Sequence, residues 1–211
     1  MADLTLLVEN VEKPHNLSAI LRSCDAVGVL EAHAVGKGNK INTFNSTAQG
    51  SQKWVTLREH ANIASAVQKL KAVGFKIYGT NLAVNAKDYR SCDFTGPTAF
   101  ILGAEKWGLS QTATNLTDES IFIPMRGMVQ SLNVSVAAAT LLFEALRQRE
   151  REGITPKSGE GMSQELYKQK LFEWAYPEVA QWCILEGRKY PKLNNQGEII
   201  EYLPRNLKLR Y

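Results

Sequence analysis

Short apolar runs alternate with segments of helical periodicity along most of this chain, and this alternation constrains the fold more than any other feature. Six apolar runs predict strands at 4–8, 32–35, 55–57, 75–80, 98–102 and 120–123. Segments 17–27 and 63–73 carry apolar side chains at helical spacing, and Gly74 follows the second as a typical helix-terminating residue. This order of elements predicts an α/β fold around a mostly parallel sheet.

Segment 132–147 is apolar on nearly every side. Its few polar positions include Asn133, Ser135 and Thr140. A helix that is apolar all round is typical of a buried element, because a surface helix keeps one polar face for water. The segment therefore predicts a helix that lies inside the fold.

The composition changes near Arg151, where the predicted α/β domain ends. Segment 153–161 has the glycine and polar content of a linker, and 163–186 predicts one or two further helices. We therefore divide the chain into an α/β domain at 1–151 and a short helical and basic extension at 152–211.

Composition excludes several classes of protein. No run approaches the roughly 18 apolar residues of a membrane helix, and the N-terminus lacks the basic and apolar regions of a signal peptide. We therefore expect a cytoplasmic protein without membrane contact. The cysteines, Cys24, Cys92 and Cys183, form no C-x-x-C pair, so the sequence indicates no metal site.

The excess of basic side chains lies at the C-terminal end of the chain. In 188–211 the excess of basic over acidic side chains equals the net charge of the whole chain, +4. A basic segment of this kind is compatible with nucleic-acid binding, and it is also common in a solvated terminus.

The glycines exclude two common nucleotide-binding turns. The first predicted strand runs into 12–16 (EKPHN), without the G-x-G-x-x-G turn of dinucleotide-binding domains. Segment 103–108 (GAEKWG) has the glycine spacing of a phosphate-binding loop, but Leu109 and Ser110 stand where Lys and Ser or Thr are required. A dehydrogenase is disfavoured, and any adenosyl ligand must be held in another way.

Three separated segments resemble, in the same order, the SpoU (TrmH-like) branch of the SPOUT RNA methyltransferases. They are 13–22 (KPHNLSAILR), 100–108 (FILGAEKWG) and 123–137 (IPMRGMVQSLNVSVA). The similarity covers about residues 4–151. Each segment alone is weak evidence, whereas three in order are specific. The first and third are most similar to the members of the branch that methylate a guanosine in the D-loop of tRNA.

The resemblance implies a SPOUT fold with a deep C-terminal trefoil knot, which no sequence pattern by itself would predict. It implies transfer of a methyl group from S-adenosyl-L-methionine to a ribose 2′-hydroxyl of tRNA, by a homodimer and without a metal. The apolar segment 134–146 suits a dimer surface or a simple core. Two alternatives stay open, namely ribose methylation of rRNA and a non-catalytic RNA-binding SPOUT module.

The resemblance also implies which residues form the site. It assigns catalytic roles to Arg22, Asn16, Glu105, Ser131 and Asn133. It assigns the cofactor to main chain at the ends of strands, at Thr80, Leu102, Gly103, Ile123, Met125 and Leu132. A guanidinium holds its proton too firmly to serve readily as a general base. We therefore assign Arg22 first to gripping a phosphate and stabilising the developing oxyanion, with a phosphate-assisted base as the alternative.

Simpler structural roles account for several of these residues. Asn16 follows Pro14 and has the chemistry of a helix N-cap, and Arg22 could form a surface ion pair with Asp25. Ser131 and Asn133 are also capping types at the start of a helix, whose free amides could equally serve a ligand.

Basic side chains on both sides of the site are predicted to contact RNA phosphates, which would give affinity rather than sequence choice. They are Lys37, Lys40, Lys53, Arg58, Arg147, Arg149 and Arg151. The extension, with 176–177 and 191–198, is predicted to add RNA contacts.

Overall fold

The computed structural model describes residues 1–36, 54–104, 107–154 and 163–203. The chain forms two compact units, Met1–Gly161 and Met162–Tyr211. The domain boundary at residue 151 stays a prediction. None of the helices in the described ranges is long and apolar enough to cross a membrane.

The first unit is built on a sheet in which every strand pairing is parallel. Its strands are β1 (Leu4–Glu9), β2 (Glu31–Val35), β3 (Thr56–His60), β4 (Lys76–Thr80), β5 (Lys87–Asp88), β6 (Thr98–Leu102) and β7 (Glu119–Phe122). The order across the sheet is β3-β2-β1-β6-β4-β7-β5. The predicted α/β fold with a mostly parallel sheet is confirmed, whereas the trefoil knot stays a prediction.

In the described part of the first unit, four α-helices cover both faces of the sheet, namely α1 (Pro14–Ala26), α2 (Ile63–Ala72), α3 (Gln111–Leu116) and α4 (Val134–Arg151). Successive side chains of a strand point to opposite faces. In β1, Leu6 and Val8 accordingly join the core with α1 and α4, and Leu7 joins the core with α2 and α3. Burial on both faces explains why the central strands read as continuous apolar runs.

The exposed face of α4 departs from the prediction of a fully buried helix. Val136 and Phe143 are about half exposed, on one side of the helix. Val134, Ala138 and Leu142 pack inward. In the single chain, the prediction that this helix lies inside the fold is therefore wrong for one of its faces.

Between residues 163 and 203, the second unit contains two helices, α5 (Gln164–Ala175) and α6 (Pro177–Leu185), in agreement with the one or two helices predicted for 163–186. Its small core includes Phe172, Val179 and Cys183. The Phe172 ring stacks on Tyr190, with 4.8 Å between centroids. The unit therefore has a hydrophobic core of its own.

Candidate active site

Two asparagines from distant parts of the chain meet where α1 packs on α4. Nδ2 of Asn133 lies 3.3 Å from Oδ1 of Asn16 and donates a hydrogen bond to it. Asn16 belongs to the first of the three sequence segments and Asn133 to the third. The fold thus joins two segments that the resemblance had linked only by their order.

The structure corrects the interpretation of Asn16 as a helix cap. Helix α1 starts at Pro14 after Lys13, which makes no side-chain capping bond. Asn16 lies within the first helical turn, and only 2 % of it is exposed. A buried amide requires partners, and Asn133 is one of them. The identity of Asn16 is therefore tied to a tertiary contact rather than to the start of a helix.

Asn133 does cap a helix, and the cap sets the direction of its amide. Its Oδ1 accepts hydrogen bonds from the Ser135 main-chain nitrogen at 2.8 Å and from the Ser135 hydroxyl at 2.6 Å. With the oxygen held by the helix, the NH₂ group turns toward Asn16. Capping and the contact with Asn16 are thus compatible roles for one side chain.

A cavity of about 370 Å³ opens at the carboxyl ends of β4, β6 and β7 and at the start of α4. Ligands commonly bind at this edge of parallel sheets, in pockets of roughly 300–1,000 Å³. The cavity brings together all six predicted cofactor residues and the predicted catalytic Ser131. The lining also includes residues that sequence reasoning missed, among them Asn81, Leu82, Trp107, Leu109 and Gln130.

One wall of the cavity is formed by Gly103, Ala104, Trp107, Gly108 and Leu109, which we call the glycine wall. The Gly108 nitrogen donates to the Ala104 carbonyl at 2.9 Å. A Cβ atom at position 103 would lie 2.0 Å from the carbonyl group of Gly108. Backbone cannot approach a side chain so closely, so glycine at 103 is required for this wall to close.

The lining fits an adenosyl ligand. As far as the structure describes it, the lining has no charged side chain and is mostly apolar. The Thr80 hydroxyl already donates to the Ile101 carbonyl at 3.0 Å. Apolar walls suit a purine ring, and strand ends offer main-chain hydrogen-bonding groups. A charged group for the reaction has to come from outside the described lining.

The predicted catalytic Arg22 lies apart from the described lining of the cavity. Arg22 is exposed on α1, and the described lining does not include it. Among the described residues, no ion pair joins Arg22 to Asp25, so the simple surface-pair interpretation is not supported. Glu105 lies outside the described residues. Within the described ranges, no three His, Cys, Asp or Glu side chains are grouped as metal ligands.

The basic residues that were predicted to contact RNA differ in their exposure to solvent. Arg149 is 1 % exposed and bonds to Asp3, Phe94 and Gly96, so its predicted RNA contact is wrong. Arg58 and Arg147 are exposed and pair with Glu31 and Glu144. Arg151 is exposed as well. The remaining predicted contacts lie outside the described residues, namely Lys37, Lys40 and Lys53.

Comparison with known proteins matches both units to family models. Residues 3–143 match the SpoU rRNA Methylase family, and 147–202 match the C-terminal SpoU rRNA methylase family. The tRNA (guanosine(18)-2′-O)-methyltransferase of Thermus thermophilus is 56 % identical over 172 residues, which are 82 % of this chain and 88 % of that protein.

Solved structures agree with this match. The TrmH/SpoU tRNA modifying enzyme of A. aeolicus superposes with a TM-score of 0.78 at 39 % identity, over 85 % of this chain and 90 % of that one. The SpoU methyltransferase AviRb of Streptomyces viridochromogenes, in complex with AdoMet, gives a TM-score of 0.64 at 29 % identity, over 72 % and 62 %. The chain therefore belongs to the SpoU rRNA methylase family.

Proposed function

We propose that this protein transfers the methyl group of S-adenosyl-L-methionine to the ribose 2′-hydroxyl of guanosine 18 in the D-loop of tRNA. The observation that carries the proposal is the contact between Asn16 and Asn133, because it joins the first and third family segments close to the cavity. The substrate follows from the Thermus thermophilus relative, whose name specifies this nucleotide.

The cavity residues would hold the methyl donor. When bound, S-adenosyl-L-methionine supplies an electrophilic methyl carbon attached to a sulfonium. Leu102, Ile123 and Leu132 offer apolar contacts to the adenosyl group, and main chain at Thr80, Gly103 and Met125 offers hydrogen bonds. The described lining lacks charged side chains, so binding depends on shape and on main-chain groups.

Side chains around the cavity would orient the ribose. Asn133 and Asn16 point amide groups at each other beside the start of α4, and Ser131 lines the cavity on the same side. These groups hold the 2′-hydroxyl in line for transfer, which lowers the barrier through alignment. Arg22 grips the adjacent phosphate and stabilises the charge that develops on the 2′-oxygen. We assign Glu105 to orienting the substrate.

The protein acts on tRNA as a homodimer in the cytoplasm. Val136 and Phe143 are seven residues apart, hence on one face of α4, and both are about half exposed. A second copy that covers this face would remove the apolar area from water. Exposed Arg58, Arg147 and Arg151, together with the second unit, would supply phosphate contacts.

The test is methyl transfer to an unmodified tRNA transcript, followed by mass spectrometry of the nuclease-digested product. We expect one 2′-O-methylguanosine at position 18, and none when the transcript carries adenosine there. Arg22→Ala should lower the rate at least 100-fold, because it removes a charge that acts in the transition state. Arg90→Ala, which removes an arginine that pairs with Asp88 on the surface, is the matched control.

Two results would contradict the proposal. Methylation of an rRNA fragment but not of tRNA would favour the ribosomal alternative. Binding of tRNA without methyl transfer would favour the non-catalytic module.

A further inference from the structure

Glu9 is a buried carboxylate that the site described so far does not use. It ends β1 and is 4 % exposed. Its Oε2 accepts a hydrogen bond from the Ser110 main-chain nitrogen at 2.9 Å, and its Oε1 accepts one from the Ser110 hydroxyl at 2.7 Å. Both carboxylate oxygens thus hold one residue that lies 101 positions away in the chain.

The burial of this charge is costly, and no cation among the described residues offsets the cost. Among the residues that the structure describes, no Lys, Arg or His forms an ion pair with Glu9. Charge-assisted hydrogen bonds from Ser110 therefore carry much of the stabilisation of the carboxylate. An apolar side chain at the end of β1 would serve packing alone at lower cost, which points to a requirement for the Ser110 contact itself.

Ser110 follows directly on the glycine wall of the cavity. Its hydroxyl donates to Glu9 and accepts a hydrogen bond from the Ala113 nitrogen at 3.1 Å, which caps α3. At the other end of the wall, Leu102 pairs with Val8, the neighbour of Glu9. The chain thus leaves the sheet at Leu102, beside Val8, and returns to the end of β1 where Ser110 bonds to Glu9. Both ends of the glycine wall are therefore held by the last two residues of β1, Val8 and Glu9.

The same strand end leads to the predicted catalytic helix. Asn10 adopts a positive φ of 55°, and its nitrogen donates to the Val35 carbonyl at 2.8 Å. Four residues later α1 begins at Pro14, and Asn16 lies in its first turn. Glu9 therefore stands between the wall of the cofactor cavity and the segment that carries Asn16 and Arg22.

We infer that Glu9, through Ser110, is a positioning residue that sets the glycine wall at the distance from α1 required for binding of the methyl donor. Glu9 does not itself line the described part of the cavity, so it acts on the ligand through the wall. The inference rests on the proposed function, since it concerns the same cofactor site.

The test measures binding of S-adenosylhomocysteine to the full-length protein by titration calorimetry. In Glu9→Gln, one carboxylate oxygen becomes an NH₂ group and the charge is lost, so we expect the dissociation constant to rise about tenfold or more. The KM for S-adenosyl-L-methionine should rise in parallel, while the dissociation constant for tRNA stays within twofold. A general loss of structure would affect both ligands.

Ser110→Ala keeps the main-chain hydrogen bond and removes the hydroxyl. We expect a severalfold rise in the dissociation constant of S-adenosylhomocysteine, and little additional rise when the change is made in Glu9→Gln. Ser163→Ala is the matched control, because Ser163 caps α5 in the second unit through a bond to the Leu166 nitrogen. It should leave cofactor binding unchanged.

The inference is overturned if folded Glu9→Gln binds S-adenosylhomocysteine within twofold of the wild type. If Glu9→Gln does not fold, unchanged binding by Ser110→Ala overturns it equally. A wild-type protein that binds the cofactor but does not methylate tRNA would refute the proposed function and leave the cofactor-binding comparison intact.

Discussion

The two ends of α4 use polar side chains in opposite ways. At its start, Asn133 is exposed, caps the helix and turns its NH₂ group toward Asn16. Near its end, Arg149 is 1 % exposed. Its guanidinium donates to Asp3 at 2.7 Å, to the Phe94 carbonyl at 3.0 Å and to the Gly96 carbonyl at 2.7 Å.

The difference between these ends is one of accessibility. The guanidinium of Arg149 is enclosed by partners within the fold, so a phosphate cannot reach it. The amide of Asn133 remains at the surface beside the cavity. Residue type alone suggested an RNA or substrate contact for both residues. Because Arg149 is buried and Asn133 is exposed, the structure supports such a contact only for Asn133. A functional assignment of a polar residue thus depends on whether its hydrogen bonds are satisfied inside the chain.

The largest effect is expected from Arg149→Met. It leaves the carbonyls of Phe94 and Gly96 and the carboxylate of Asp3 without their donor, so the free energy of unfolding should fall by about 3–5 kcal/mol. Urea unfolding monitored by circular dichroism measures this change. Arg147→Met, two residues away and with an exposed side chain, should change stability much less, because an ion pair with an exposed partner contributes little and Gln148 still donates to Glu144. If the two variants lost the same free energy of unfolding, burial would not distinguish the two arginines.

At the other end of α4, Asn133→Ala should act mainly on the reaction. Loss of the cap should cost about 1 kcal/mol of stability, while loss of the amide that orients the ribose should slow methyl transfer about 100-fold. The matched control is Asn62→Ala, since Asn62 caps α2 through the Ser65 nitrogen at 2.9 Å, away from the site. It should cost similar stability without slowing transfer. If both variants transfer methyl groups at similar rates, Asn133 has only a capping role.

A smaller effect on the free energy of unfolding is expected from the titration of His33, which is buried as Arg149 is. Burial lowers the pKa of His33 to about 4 despite the nearby Glu31 carboxylate, and its Nδ1 lies 2.9 Å from Nε2 of His60. Between pH 6.5 and about 4, the unfolded chain binds a proton at this position and the folded chain does not. The free energy of unfolding should therefore fall as the pH falls through this range, by ~2 kcal/mol.

His33→Gln replaces the imidazole with an amide that can still form a hydrogen bond with His60 but does not titrate. Its profile of unfolding free energy against pH should be flatter than that of the wild type between pH 4 and 6.5. His15→Gln, at an exposed histidine, serves as the control and should keep the slope. An unchanged slope in His33→Gln would show that other groups cause the pH dependence.

Much of the fold could be predicted because the central strands are buried on both faces and are therefore continuously apolar. The strand β6, predicted at 98–102, has the same bounds in the structure. Among the described strands and α-helices, two were missed for physical reasons. The strand β5 has only two residues, too few for any periodicity, and α3 (QTATNL) buries a single residue, Ala113. Neither element carries an apolar pattern that sequence reasoning could detect.

Within the site, the cavity brings together the six residues that the resemblance had assigned to the cofactor. Their role in binding stays a prediction. Sequence reasoning missed Glu9, although its place at the carboxyl end of a parallel strand is a signal for a site residue. Its contact with Ser110 could not be predicted, because hydrogen bonds across 101 residues leave no local pattern.

The sequence by itself determined the class of fold and the three segments that identify the family, since periodicity and motif spacing are properties of the chain alone. Only the tertiary structure decided which polar groups are exposed and which are enclosed. It placed Asn16 against Asn133, enclosed Arg149 and tied Glu9 to Ser110. The physical reason is that the burial of a polar side chain depends on partners supplied by distant segments, and these meet only when the sheet and its helices assemble.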